Sequence, residues 1–151
     1  MKLVIQRVRR ARVVVAGQEL AAIGRGMLIL CGVGRGDTAA DRAFLARKTL
    51  NLRIFDDAEG KMNVAPRDAG AAFLVVSQFT LYADCTRGNR PSYLDAAPPA
   101  EGEAGYEAFV ALLRAEGVEV QTGQFGADMQ VELENDGPVT LILESSGRET
   151  A

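Results

Sequence analysis

The run Met27-Leu28-Ile29-Leu30-Cys31-Gly32-Val33 is almost wholly apolar and bracketed by glycines, the pattern of a buried strand stopped by turns. It is far too short for the roughly 18 residues of a membrane span, and no other apolar run in the chain reaches that length. The chain has to fold around this strand, and the residues beside it read as its partners. Residues 2–8 alternate, with Leu3, Ile5 and Arg7 on one face and Val4, Gln6 and Val8 on the other. Residues 11–16 are valine-rich and strand-like, Gly17 invites a turn, and residues 18–23 return as the second arm of a hairpin. Residues 71–76 form another apolar run, a second buried strand that ends at Ser77-Gln78-Phe79-Thr80.

Two stretches carry helical periodicity. Asp37 reads as the N-cap of a helix reaching about residue 52, with Ala40, Phe44, Leu45 and Leu52 as its apolar stripe and Arg42, Arg47 and Lys48 outward. A second helix spans about residues 103–116, with Tyr106, Phe109, Val110 and Leu113 on one face and Gly117 placed to end it. Between them, residues 53–55 suggest a short strand and 56–60 a turn, and residues 85–101, holding Pro91, Pro98 and Pro99, read as a long loop. After the second helix come strands at 118–122, at 129–134 where Met129, Val131 and Leu133 alternate with polar residues, and at 139–143 after the turn Asn135-Asp136-Gly137-Pro138. The order is that of a mixed α/β fold, and 151 residues suit a single domain spanning 1–151, frayed from about Ser145.

Composition limits the chemistry. The chain has no histidine, which removes Ser-His-Asp triads, Cys-His pairs, His-ligated zinc and an imidazole base. Cys31 and Cys85 form no CxxC pattern and read as buried free thiols of a reducing compartment. The opening MKLVIQRVRRARVVV places four arginines where a signal peptide needs apolar residues, so a cytoplasmic protein is expected, with no membrane partner. A net charge of −3 offers no general attraction to nucleic acid, which leaves any such contact to local groups.

Four motifs invite a functional reading. Gly32-Val33-Gly34-Arg35-Gly36-Asp37 imitates a dinucleotide fingerprint, but Asp37 stands where the third glycine belongs and would repel a pyrophosphate, so a tight turn with an aspartate cap is preferred. Arg7, Arg9, Arg10 and Arg12 are the densest basic cluster, yet a strand splits them, Arg7 and Arg9 to one face and Arg10 and Arg12 to the other. Arg87 and Arg90 in the long loop are better placed for phosphate. Ser77 and Thr80 offer hydroxyls without a base, which favours hydrogen bonding over covalent catalysis. Gly137-Pro138 reads as a turn, or as a cis bond that would hold two carbonyls in fixed directions around a substrate carbon.

Ser77-Gln78-Phe79-Thr80-Leu81-Tyr82 and Asn135-Asp136-Gly137-Pro138-Val139-Thr140 together closely resemble the two signature motifs of the D-aminoacyl-tRNA deacylases. The opening residues 1–8, Asn51-Leu52-Arg53-Ile54-Phe55, Gly60-Lys61-Met62-Asn63, Arg90-Pro91-Ser92 and Gly123-Gln124-Phe125-Gly126-Ala127-Asp128-Met129 resemble that family in order and spacing. The resemblance implies largely antiparallel sheets with two main helices packed on one side. It implies a homodimer with active sites at its interface that hydrolyses the ester between the tRNA 3′ end and a D-amino acid, or glycine mischarged on tRNA-Ala. It implies no metal, no organic cofactor and no DNA partner.

By the same resemblance, Ser77, Gln78, Phe79 and Thr80 hold the aminoacyl group. Gly137 and Pro138, joined by a cis bond, enter the partner's site and reject L-amino acids with their carbonyls. Phe125, Gly126 and Met129 receive the terminal adenine, and Arg7 supports the Gly-Pro segment across the dimer. Thr80 is a binding residue first and a chemical one second, with the 2′-hydroxyl of the substrate assisting water. The loop Cys85-Thr86-Arg87-Gly88-Asn89 departs from the lysine-containing sequence the family leads one to expect. Two other readings compete: a non-catalytic nucleotide or tRNA-end binding module built on residues 32–37, and a thiol enzyme dependent on Cys85.

Overall fold

The computed structural model describes residues 1–145. Its centre is a 14-residue strand, β1 (Lys2–Val15), which carries partners along both edges. On one edge β3 (Gly26–Gly32) pairs antiparallel with the first half of β1, and β2 (Gln18–Ile23) pairs antiparallel with the second half. On the other edge β8 (Met129–Glu144) runs antiparallel along almost the whole of β1. Beyond β3 the sheet continues through β6 (Ala72–Ser77) and β7 (Val120–Thr122), both joined in parallel, giving the order β2-β1-β3-β6-β7. β2 also approaches β6 and β7, so the curled sheet nearly closes on itself. A short hairpin of β4 (Phe55–Asp56) and β5 (Met62–Val64) stands apart; β5 went unrecognised in the sequence because Met62 and Asn63 are exposed and show no apolar pattern.

Both faces of β3 and β6 are buried, and alternation along these apolar strands divides the core in two. Met27, Ile29 and Cys31 of β3, with Phe73 and Val75 of β6, face the helices α1 (Ala39–Asn51) and α2 (Pro99–Ala115), where Leu45, Leu50, Phe109 and Leu113 meet them. Leu28, Leu74 and Val76 point the other way, into the curl, against Val8, Ala11, Val13 and Ile23. The expected architecture is therefore present: a mixed α/β fold with both helices on one side of a mainly antiparallel sheet. No helix among the described residues is long and apolar enough to cross a membrane.

The alternation along β1 is broken once. Leu3 and Ile5 belong to the helix-side core, whereas Val8, Ala11 and Val13 belong to the inner one. The register against β8 shifts around Val8 and Arg10, leaving Arg9 in a bulge, and the extra residue turns the second half of the strand over. The expected split of the arginines is thereby corrected: Arg7 is buried, while Arg9, Arg10 and Arg12 are all exposed. Asn135-Asp136-Gly137-Pro138 is likewise no reversal. Gln6 faces Thr140 and Val8 faces Asn135, so β8 keeps its direction and the residues between bulge out as a small loop.

Three further expectations are corrected. The cap of α1 is Thr38, one residue later than predicted, in a capping box: its hydroxyl accepts from the Asp41 amide, and the Asp41 carboxylate accepts from the Thr38 amide at 2.8 Å. Asp37 is drawn away by stronger donors, the Gly34 amide at 2.6 Å and the buried Met1 ammonium at 2.5 Å. In the α1 stripe Leu45 is buried and Phe44 and Leu52 pack against the core as expected, but Ala40 is exposed and Ala46, Thr49 and Leu50 complete the buried face. Ser145 is buried, its amide donating to the Met1 carbonyl at 3.0 Å and its hydroxyl accepting from the Met1 ammonium at 2.7 Å. The rest of the predicted frayed tail, residues 146–151, lies outside the described residues.

Candidate active site

Parallel pairing of β6 with β3 delivers Ser77 beside Cys31, and the Gln78 amide donates to the Cys31 carbonyl at 2.9 Å as the chain leaves the sheet. It then winds into a single 3-10 turn, Phe79–Tyr82, whose first bond runs from the Leu81 amide to the Gln78 carbonyl. The amides of Phe79 and Thr80 stand ahead of that bond, as the leading amides of any helix do. The Gln78 side-chain amide donates to the Thr80 hydroxyl. Beneath the turn the Tyr82 ring lies against Gly34, where a Cβ atom would come within 2.5 Å of it. That close approach accounts for a glycine that otherwise imitates a nucleotide motif.

A cleft of about 660 Å³ opens in front of this turn. One wall is Ser77, Gln78 and Phe79; the facing wall is Phe125, Gly126 and Met129, carried by the turn between β7 and β8. Its floor includes Tyr106, whose hydroxyl donates to the Val75 carbonyl at 2.7 Å and whose ring tilts against Phe125 with centroids 6.1 Å apart. At the rim Phe79, 58 % exposed, meets Tyr93 edge-on at 5.0 Å. The volume suits one small-molecule-sized group, within the range of about 300–1,000 Å³ typical of ligand pockets.

The cleft is poor in groups able to take a proton near neutrality. Burial pushes the Cys31 thiol up to about 12, with only partial relief from the nearby Met1 ammonium. Burial also raises the Tyr106 phenol. Among the described residues the charged members of the lining are Arg35 and Asp128. Among the described residues no group of three or more Cys, Asp and Glu side chains has metal-binding geometry.

Gly137 and Pro138 lie elsewhere. Their peptide bond is cis, both residues are exposed, and neither lines the cleft of their own chain. The small loop that carries them is held from both ends. Asn135 Oδ1 accepts from the Val139 amide at 2.8 Å, and buried Arg7 donates through Nε to the Asp136 carbonyl at 2.9 Å and through Nη1 to the Ile54 carbonyl at 2.7 Å. These Arg7 contacts are made within one chain. Gly137 has φ +148°, and a Cβ there would fall 2.7 Å from the Val139 amide nitrogen, so no other residue fits without rearrangement.

The predicted residues thus fall into two groups. Ser77, Gln78, Phe79, Phe125, Gly126 and Met129 converge on one cleft, while Thr80 sits just behind its lining. Gly137, Pro138 and Arg7 form a separate, braced projection. Residues 32–37 make no nucleotide cradle, because Asp37 occupies the Gly34 amide and Tyr82 fills the space over Gly34. Cys31 is buried as expected, but Cys85, also expected buried, is exposed in the long loop and outside the cleft. Sequence reading missed Arg35, Tyr93, Tyr106 and Asp128 as cleft residues. Tyr106 was legible only as a core position, and the others sit in turns whose fold brings them to the rim.

Comparison with known proteins shows the family to which the chain belongs. The family model for D-Tyr-tRNA(Tyr) deacylase matches residues 4–144. Proteins named D-aminoacyl-tRNA deacylase from Anaeromyxobacter dehalogenans and Chlorobaculum parvum are 57 % and 55 % identical, each alignment covering 96 % of this chain and 97 % and 98 % of those proteins. A solved structure described as c-Myc DNA Unwinding Element Binding Protein is 42 % identical, with TM-score 0.90 over 95 % of this chain and 98 % of that one. Another, described as a probable eukaryotic D-amino acid tRNA deacylase, shares the fold at 17 % identity and TM-score 0.81, covering 95 % and 98 %. Likeness that runs through the cleft and the braced loop alike, at more than half identity along the whole length, makes this chain a member of the D-aminoacyl-tRNA deacylase family.

Proposed function

We propose that the chain hydrolyses the ester joining a D-amino acid to the terminal ribose of tRNA, and also that of glycine mischarged on tRNA-Ala, while sparing L-aminoacyl esters. The observation that carries this reading is the open cleft at the end of β6, where Ser77, Gln78 and Phe79 face Phe125, Gly126 and Met129 across a volume fit for one aminoacylated nucleoside. The aminoacyl group lies against residues 77–80 and the adenine against Phe125, Gly126 and Met129.

Chemistry in such a cleft does not run through a side-chain base. The chain has no histidine, and the Cys31 thiol is held protonated by burial. Water attacks the ester carbonyl with help from the neighbouring ribose 2′-hydroxyl, and the leading amides of the 3-10 turn receive the developing oxyanion. Positioning and preorganised amide donors each contribute several kcal/mol to lowering barriers of this kind.

Chirality is read by Gly137 and Pro138 of a second copy. Their exposure, their absence from their own cleft lining and the brace at Asp136 and Asn135 support a rigid element presented outward to a partner. Ile142, 69 % exposed on β8, adds apolar surface on the same strand for a homodimer contact. DNA is not a substrate in this reading: Arg9, Arg10 and Arg12 are each engaged by Glu134, Asp136, Glu132 or Glu19, which leaves no free basic stripe on β1. The reaction takes place in the cytoplasm, where tRNA is charged. The test is release of D-tyrosine from D-tyrosyl-tRNA with the L-ester left intact; equal cleavage of both, or no cleavage of the D-ester, overturns the reading.

A further inference from the structure

Among the described residues Arg35 is the one cation of the cleft lining, and its exposure places it at the rim. Its main chain and Nε are already committed: the Arg35 amide donates to the Asp95 carbonyl at 2.9 Å, and Nε donates to the Leu94 carbonyl at 2.6 Å. These bonds clip the turn after β3 to the limb that carries Tyr93, and they fix the plane of the guanidinium. Both terminal nitrogens remain without a partner among the described residues. Several other cations are engaged: Lys2, Arg7, Arg9, Arg10, Arg12, Lys61 and Arg67 are ion-paired. Arg87 and Arg90 sit in a loop closed at its base by the Asp84–Ser92 pair, and neither lines the cleft.

We propose that Arg35 binds the 5′-phosphate of the terminal nucleotide, making it a specificity residue for the phosphodiester end of the substrate; this rests on the function proposed above. A cleft of about 660 Å³ takes one aminoacylated nucleoside but no more of the acceptor strand, so the first group outside it is that phosphate. An exposed guanidinium with Nε pinned and two terminal donors without a partner among the described residues suits an oxyanion pair, and it supplies locally the attraction that a net charge of −3 denies globally. The position passed unnoticed in the sequence because it lies inside the glycine-rich turn.

Two esters that differ only in one phosphate isolate the contact: D-tyrosine on the ribose of adenosine, and on that of 5′-AMP. In Arg35→Gln the ratio of kcat/KM for the AMP ester to that for the adenosine ester should fall about tenfold. The salt slope of kcat/KM on D-tyrosyl-tRNA should drop by about 0.7, one phosphate on a single strand. Arg47→Gln, an equal charge change on α1 outside the cleft, should move neither. A merely structural role at Leu94 lowers both esters together, so an unmoved ratio in Arg35→Gln overturns the proposal while wild-type cleavage of D-tyrosyl-tRNA keeps the underlying function intact. Failure of the wild type on D-tyrosyl-tRNA overturns both.

Discussion

Arg7 Nε lies 2.9 Å from the main-chain oxygen of Asp136, so the residue that starts the exposed Gly137-Pro138 projection is tied to the buried centre of β1. The same guanidinium holds the Ile54 carbonyl at 2.7 Å and pairs with Asp56 at 3.4 Å. Replacing it by an apolar residue of similar length leaves two carbonyl acceptors without their donor and removes the ion pairs with Asp56 and Asp136. Arg7→Met should cost about 2–4 kcal/mol in denaturant unfolding and lower the D-to-L ratio of ester cleavage, since the loop loses its inner anchor. Loss of stability with an unchanged ratio would separate the fold from the reading of chirality.

Gly137→Ala tests the projection itself. At φ +148°, with the Val139 amide 2.7 Å from the new methyl, the loop has to shift, at a cost of about 1–3 kcal/mol that its exposure confines locally. The expected outcome is a folded protein, by circular dichroism, whose activity on D-tyrosyl-tRNA is reduced and whose rejection of the L-ester is weakened. Wild-type discrimination in this variant would exclude the loop from substrate reading.

How far the sequence anticipated this arrangement varies with the range of the forces involved. The α2 face of Tyr106, Phe109, Val110 and Leu113 was legible because helical periodicity is local, and all four are buried. β2 was legible because Gly17 sets the hairpin beside it. The Arg9 bulge was not, because it arises from register against β8, more than a hundred residues away, and it reversed the faces assigned to the arginines. Asp37 misled for a related reason: a local rule makes it a cap, but the Met1 ammonium and the Gly34 amide outbid the helix for its carboxylate. The cleft walls at 77–79 and 125–129 were found through family motifs, whereas Arg35 and Tyr93 reach the site only through tertiary folding of two turns.

Thr49 offers a test of packing alone. Its hydroxyl is fully buried in α1 and has no hydrogen-bond partner among the described residues. Thr49→Val keeps the shape and removes the unsatisfied group, so stability should rise by about 1 kcal/mol, or about 2–4 °C in Tm for a chain of this size. Deacylase rates should stay at wild-type values.

Alkaline pH should weaken the fold from within the cleft. Burial raises the Cys31 thiol to about 12 from an ordinary value of 9.0, so the folded state holds a proton that the unfolded state releases. Stability from this group is complete below about pH 9 and declines as pH rises toward 12, by at most about 1.4 kcal/mol per pH unit. Tyr106 is shifted in the same direction by burial and adds to the decline. Denaturation midpoints at pH 8 and pH 10.5 check this, and Cys31→Ala should reduce the difference, leaving the part due to Tyr106. A midpoint independent of pH over that range contradicts the assignment.

Thr80 decides between positioning and covalent chemistry. Its hydroxyl accepts from the Gln78 side chain and stands behind the cleft lining, so its removal frees the Gln78 amide and loosens one wall without deleting a nucleophile. Thr80→Ala should therefore retain activity within about a hundredfold of wild type, whereas loss of an obligatory nucleophile costs about 10⁴-fold or more. Gln78→Ala should act through the same bond, and the double variant should fall short of the sum of the two single losses, because each already breaks the contact. Single-turnover rates on D-tyrosyl-tRNA measure all three. Complete inactivity of Thr80→Ala with unimpaired tRNA binding would assign the ester attack to its hydroxyl instead.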